Sequence, residues 1–179
     1  VMSLGAKGVL NRKDFNCWGQ LPTVNGPEFS DYMKESRKFG KAIWEITGKQ
    51  DVDIVFEHPG ESTFPVSVFV VKRGGMVVIC AGTTGFNLTM DARFLWMRQK
   101  RVQGSHFANL KQASAANKLV IDRRIDPGMS EVFPWADIPA AHEKMLDNKH
   151  LPGNMAVLVT SPKPGLRTVE DVLAVSGQA

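Results

Sequence analysis

At 179 residues, 43% hydrophobic and 22% charged, the chain has the composition of a folded domain with one full-sized core, which excludes disorder as its default state. A net charge of +4 comes from scattered Lys and Arg, a pattern that suits small anionic ligands and argues against a nucleic-acid-binding stripe. No stretch reaches the roughly 18 apolar residues of a helical membrane span, and the two cysteines, Cys17 and Cys80, match no metal spacing and fit a reducing cytoplasm.

The opening residues VMSLGAKGVLNRKD read as a helix tail, a Gly turn and a short strand at Gly8–Leu10. A dinucleotide-binding unit normally begins with a strand and a G-x-G-x-x-G turn, and no such turn occurs here. The chain is therefore expected to be the carboxyl-terminal part of a longer protein. Asn11 to Pro27 is a loop in which Trp18 either caps a hydrophobic edge or stacks on a ligand. From Ser30 to Thr47 the period is helical, with Tyr32, Phe39, Ile43 and Ile46 on one face, Ser30 as N-cap and Gly48 as the stop.

Val52 to Phe56 is expected to be a buried strand ending in Glu57-His58-Pro59-Gly60. Glu61 to Arg73 fits either half of a β-hairpin or a helix with Phe64, Val68 and Val71 on one face. The helix is preferred, because a strand–helix–strand crossover keeps the sheet parallel. A second buried strand, Met76 to Cys80, runs into a loop of small residues, Ala81 to Gly85, and then a segment dense in Arg, Trp and Met. A short strand, Arg101 to Gly104, ends in Ser105-His106-Phe107. Next come a helix over Phe107–Arg123 with Leu110, Ala113 and Val120 inward, and an extended connection from Arg124 to Trp135. A helix over Ala136–Lys149 carrying Ile138, Ala141 and Met145, a closing strand Met155–Val159 and a tail after Pro162 complete the chain.

This order predicts an α/β fold, part of a Rossmann-like doubly wound parallel sheet. The expected division is residues 1–124 as the later part of a dinucleotide-binding domain, 125–160 as a return segment, and 161–179 as tail. Strands that stop at Gly- and hydroxyl-rich loops mark the carboxyl edge of a parallel sheet, where open α/β sheets bind ligands.

Among the four histidines, His106 is the best placed for chemistry, at a strand tip beside Ser105, Phe107 and Asn109. A neutral imidazole there orients a small polar substrate; the alternative is a purely structural hydrogen bond. His58 follows Glu57 at another strand end and is read the same two ways, while His142 and His150 fall on or after the last helix. No i, i+4 histidine pair and no G-x-S-x-G is present, which argues against a zinc site and a hydrolase elbow. The loop Ala81-Gly82-Thr83-Thr84-Gly85 offers backbone N–H groups and hydroxyls to a flat ring, though a simple turn uses the same residues. Arg93, Arg98, Lys100 and Arg101 around Trp96 form either a phosphate and adenine site or a solvated helix face.

The strings DIVFEHPG (Asp53–Gly60), GGMVVICAGTTGFNLTMDARFLWMRQKRVQGSHFANL (Gly74–Leu110) and LPGNMAVLV (Leu151–Val159) resemble the crotonyl-CoA carboxylase/reductases. These belong to the zinc-free, quinone-reductase-like branch of the medium-chain dehydrogenase/reductase superfamily. The resemblance implies an oxidoreductase acting on CH–CH groups, with NADPH as cofactor and crotonyl-CoA and CO2 as partners. Hydride goes to the β-carbon, and the enolate attacks CO2 at the α-carbon to give ethylmalonyl-CoA without biotin or metal. It further implies that His106 helps hold CO2, with an Asn, a Phe and a Glu from an amino-terminal domain. Phe56 to His58, so Glu57 and His58, and Cys80 to Gly85, so Cys80, Ala81, Gly82, Thr83 and Thr84, face the nicotinamide; Phe107 and Asn109 are grouped with them as cofactor-binding. Arg93 and Phe94 match the adenine end of CoA, where Phe94 departs from a common Tyr. The superfamily also implies a homo-oligomer paired through Arg101–Gly104. A plain enoyl-CoA reductase and a non-catalytic oligomerisation module are the rival readings.

Overall fold

The computed structural model describes residues 2–159, and the expected tail after Pro162 lies outside them. Internal contacts divide the chain into residues 1–107 and 108–179.

In residues 1–107, three parallel strands, β1 (Val52–Glu57), β2 (Val71–Ile79) and β3 (Arg101–Gly104), lie in the order β1-β2-β3. The helices are α1 (Phe29–Thr47), α2 (Phe64–Val70) and α3 (Ala92–Met97), with short 3-10 turns at Met2–Leu4 and Arg12–Asp14. Gly48 closes α1 in the left-handed conformation, φ +71°, and its N–H donates to the Trp44 carbonyl. The N-cap is Glu28 rather than Ser30, because a turn closed by Gly26 N–H on Thr23 carbonyl at 2.8 Å leads straight into the helix. Residues 8–10, expected as a strand, are irregular.

The crossover between β1 and β2 is a helix, as expected, but a short one. Pro65 in its first turn suits a helix start. Phe64 to Val68 are all buried, so α2 is enclosed on every side and its sequence carries no clear stripe. Val66 packs with Phe15, Cys17, Tyr32 and Met33; Phe64 and Val68 pack with Val71 and Val77. Two buried clusters thus share one helix. β2 starts at Val71 directly after α2, well before the expected Met76, and its pairing with β1 shifts register between Val52 and Ile54. Gly74, with φ +70°, takes up that irregularity. β1 is less buried than expected. Val55 and Glu57 face inward, but Ile54 and Phe56 are 62% and 69% exposed, because β1 is an edge of the sheet with one face uncovered.

In residues 108–179, a two-stranded parallel sheet pairs β4 (Met129–Pro134) with β5 (Asn154–Leu158), alongside α4 (Leu110–Ile121) and α5 (Ile138–Leu146). The expected extended connection from Arg124 to Trp135 therefore contains a true strand, with Ser130 and Val132 buried. α4 starts at Leu110, since Phe107 has φ +49° and Asn109 caps the helix. Leu110 and Ala113 are exposed and α4 buries no residue, against the expected inward face. Helical periodicity identifies an apolar side; it does not supply the partner that would cover it. In α5, Ala141 is buried, Ile138 is half-buried and Met145 is exposed. Among the described residues, no helix is long and apolar enough to cross a membrane.

Candidate functional site

The three strands of residues 1–107 end level with one another. Glu57 is paired with Ile79, and Ile79 with Gly104. Two further rungs carry the pairing past the strand ends: Cys80 N–H donates to Glu57 carbonyl at 3.2 Å, and Ser105 N–H to Ile79 carbonyl at 2.8 Å. Neighbouring parallel strands are about 4.8 Å apart, so the His58, Cys80 and Ser105–His106 tips stand in a row along one carboxyl edge.

The first two tips are laced together. Thr84 N–H and Thr84 Oγ1 both donate to Pro59 carbonyl at 2.8 Å, Ser62 N–H donates to Thr84 Oγ1 at 3.0 Å, and Glu61 N–H donates to Gly85 carbonyl at 3.2 Å. Gly60, at φ +87°, allows this closeness: a Cβ there would lie 2.8 Å from Gly85 carbonyl and 2.9 Å from Gly82 Cα. Glu61 further accepts from Gln20 Nε2 at 2.5 Å and from Asn87 N–H at 3.4 Å.

What remains unengaged is the outward surface of the second loop. The N–H groups of Ala81, Gly82 and Thr83 have no protein acceptor among the described residues, and Thr83 is exposed with a free hydroxyl. Cys80 is an exposed free thiol. At the third tip His106 is exposed, its ring centroid 3.9 Å from that of Phe107 at a 46° tilt, and Phe107 is 91% exposed.

The sequence-derived site residues thus fall into two groups. His58, Cys80, Ala81, Gly82, Thr83, His106 and Phe107 present groups along the edge. Glu57, Thr84 and Asn109 use their side chains internally. Glu57 is 2% exposed, its carboxylate accepting from Gly60 N–H at 2.9 Å, Thr63 Oγ1 at 2.5 Å and Ser67 Oγ. Asn109, in residues 108–179, forms a capping box: its Oδ1 accepts from Gln112 N–H at 2.9 Å, and Gln112 Oε1 accepts from Asn109 N–H at 3.0 Å.

Arg93 is held by a buried Asp91 through Nε at 2.9 and 3.1 Å and Nη2 at 2.6 Å. This contact lowers the Asp91 pKa and raises that of Arg93. The guanidinium stays half exposed at a pocket of about 280 Å³ that also has Arg37 and Arg98 in its wall. Phe94 is half-buried and lines the same pocket. It packs edge-on to Phe69 at 5.4 Å, with Lys100 Nζ 5.5 Å above its ring. Trp18 behaves as an edge cap, donating from Nε1 to Arg12 carbonyl at 2.9 Å and meeting Phe39 edge-on at 5.2 Å.

Sequence reasoning missed Lys100. Read as part of a basic surface cluster, it is buried, and its Nζ donates to the Val68 and Phe69 carbonyls at 2.8 Å each, satisfying the end of α2. Burial, then the nearby Arg98 charge, brings its pKa down to about 8. The one signal available was position, a lysine directly before a strand that follows a buried helix in space.

Residues 25–122, which include β1 to β3 and all three tips, match the family described as zinc-binding dehydrogenase. The chain belongs to that family. Among the described residues, no three His, Cys, Asp or Glu side chains come together to hold a metal ion. The chain is 73% identical over 180 residues to crotonyl-CoA carboxylase/reductase of Cereibacter sphaeroides, a match that covers all of this chain and 42% of that protein. It is 41% identical to crotonyl-CoA reductase of Streptomyces avermitilis, covering 92% of this chain and 36% of that one. The solved structure of crotonyl-CoA carboxylase/reductase AntE in complex with NADP superimposes with a TM-score of 0.83 at 44% identity, covering 90% of this chain and 40% of that one. The chain thus spans less than half the length of these relatives.

Proposed function

We propose that this chain supplies the nicotinamide- and CoA-facing edge of an NADPH-dependent enoyl-CoA carboxylase/reductase, converting crotonyl-CoA and CO2 to ethylmalonyl-CoA. The observation that carries the reading is the row of three level strand tips, with unengaged N–H groups in one loop and an exposed imidazole beside it. Identity of 73% over the whole chain to a crotonyl-CoA carboxylase/reductase supports an enoyl-CoA as the substrate class.

A flat, carboxamide-bearing ring fits the second loop. The N–H groups of Ala81, Gly82 and Thr83 and the Thr83 hydroxyl are donors for a carboxamide oxygen. NADPH, when bound, supplies the hydride that reduces the β-carbon of the enoyl thioester. His106 and Phe107 then hold CO2 against the α-carbon nucleophile: the imidazole N–H donates to an oxygen of CO2, and the phenyl ring keeps water away from an enolate that water would protonate. His58 borders the same ring from the first tip. Arg93, fixed by Asp91, offers its exposed guanidinium edge to a CoA phosphate, and the half-buried Phe94 in the same pocket wall offers its ring to the adenine end.

The family match ends at residue 122, which supports residues 1–124 as part of the dinucleotide-binding domain and 125–160 as a return segment. β3 is an edge strand, and pairing with its copy in a second subunit would remove an open edge. Two unpaired cysteines suit a reducing cytoplasm.

A plain reductase is the second reading, favoured by the 41% identity to crotonyl-CoA reductase. Incubating the full-length enzyme with crotonyl-CoA, NADPH and labelled bicarbonate decides between the two. Label in ethylmalonyl-CoA supports carboxylation, whereas unlabelled butyryl-CoA as sole product supports the rival.

A further inference from the structure

A buried carboxylate at a strand tip invites assignment to the ligand, and the geometry points elsewhere. We infer that Glu57 is a positioning residue: its side chain fixes the turn after β1, and that turn sets the loop Cys80–Gly85 on which the nicotinamide is proposed to lie. The inference rests on the functional reading above and deepens it.

Glu57 has no face toward the edge. Its Oε1 accepts from Gly60 N–H and Thr63 Oγ1, and its Oε2 accepts from Ser67 Oγ, so both oxygens are used by donors within ten residues downstream. Those partners include Gly60, whose lack of a Cβ, like that of Gly85 opposite, lets the two loops touch. The backbone of Glu57 acts on the other loop directly, since its carbonyl accepts from Cys80 N–H at 3.2 Å with Cys80 Sγ at 3.8 Å. Between these anchors, Pro59, Glu61 and Ser62 each bind Thr84 or Gly85. One residue therefore holds the first turn with its side chain and the root of the second loop with its backbone. The outcome is that Thr83 projects with its N–H and hydroxyl free. Replacing the carboxylate with an apolar group leaves Gly60 N–H and two hydroxyls without acceptors in a buried site, and the turn must open to solvate them.

The test uses the full-length enzyme with Glu57→Leu and Glu57→Gln. Gln keeps an oxygen for Gly60 and Thr63 and places an NH2 against Ser67 Oγ, which can turn to accept. Two quantities are measured: the alkylation rate of Cys80 in the ligand-free enzyme, and the KM for NADPH against kcat. Glu57→Leu is expected to speed Cys80 alkylation and to raise the KM for NADPH, each about tenfold, the scale at which a small misplacement of a site is felt. Glu57→Gln is expected to restore both. Wild-type values for Glu57→Leu in both measurements overturn the inference. So does a Glu57→Gln enzyme with a normal Cys80 rate and the KM of the Leu variant, since that marks a direct charge contact with the cofactor. If Glu57→Leu fails to fold, Thr63→Val and Ser67→Ala each remove one donor; a smaller rise in both quantities supports the role, and no change in either rejects it. A wild-type enzyme that binds no NADPH removes the functional reading and this inference with it, whereas a wild type that binds NADPH normally and a Glu57→Leu variant that matches it in both measurements remove the inference alone.

Discussion

Thr84 is bound to Pro59 twice, its backbone N–H and its side-chain hydroxyl both donating to the Pro59 carbonyl at 2.8 Å. The same hydroxyl accepts from Ser62 N–H, so one threonine ties the loop after β2 to the turn after β1. Thr84→Val keeps the shape and removes both hydroxyl bonds, a loss of about 1 kcal/mol apiece. The expected result is a lowered melting temperature and weaker NADPH binding, with Thr84→Ser close to wild type. Calorimetry and a cofactor titration on the full-length variants check it; a Thr84→Val enzyme with unchanged affinity would show that the loop is held without this bond.

The two cysteines should separate cleanly under alkylation. Cys17 is fully buried, and desolvation raises its thiol pKa to about 11, so almost none is thiolate at neutral pH. Cys80 is exposed on the proposed cofactor loop. Iodoacetamide at pH 8 is expected to label Cys80 alone in the folded protein, NADPH is expected to protect it, and Cys17 is expected to react only after denaturation. Peptide mass mapping reads all three outcomes. Labelling of Cys80 that ignores NADPH would detach the loop from the cofactor.

Lys100 makes stability depend on pH. Burial lowers its pKa from 10.5 to about 8, so between those values the unfolded chain holds a proton that the folded chain has released. The unfolded state binds more protons there, and stability therefore rises with pH above 8. Cys17 and Tyr32 act in the opposite sense, their pKa values raised by burial from 9.0 to about 11 and from 10.0 to about 12. The clean window is pH 8 to 9, where Lys100 contributes a gain of about 1 kcal/mol. Denaturation midpoints at pH 7.5 and 9 should show this rise in the wild type and lose it in Lys100→Met. An equal rise in both would assign it to another group.

How much of this was legible in the sequence depended on how local the determining contacts are. Gly48 ending α1, the short strand Arg101–Gly104, and the small-residue loop after the valine run were read correctly because each signal is local. The extent of α2 was not, since a run of Phe, Val and Ser fits helix and strand alike and is settled by contacts from elsewhere: Glu57 at its start and Lys100 at its end. β4 escaped notice because its Ser and Glu break the apolar pattern, and its partner β5 lies more than a helix away in sequence. That Glu57 and Thr84 spend their side chains on the turns around them was hidden for a similar reason. A strand-tip acid or hydroxyl reads alike whether it faces a cleft or its own turn.

His106 carries the last prediction. It follows β3, whose end is level with Ile79, and Ser105 N–H bonds to Ile79 carbonyl, so the imidazole leaves the backbone next to the root of the Cys80–Gly85 loop. Phe107 is forced into a positive φ of 49° and keeps its ring 3.9 Å from the imidazole, so the two side chains form one exposed polar–apolar pair. Such a pair matches CO2, which takes a hydrogen bond at oxygen and otherwise tolerates an apolar wall. In the proposed reaction, hydride delivery to the β-carbon would need neither ring, whereas capture of the enolate by CO2 in preference to a proton would need both. His106→Ala in the full-length enzyme is therefore expected to leave crotonyl-CoA consumption within about threefold while cutting the ratio of ethylmalonyl-CoA to butyryl-CoA about tenfold, the effect of losing one positioned contact in a water-excluded site. Phe107→Ala should move the same ratio in the same direction by admitting water. Chromatography of the acyl-CoA products under saturating bicarbonate gives the ratio directly, and a His106→Ala enzyme with the wild-type ratio would confine this imidazole to a structural part.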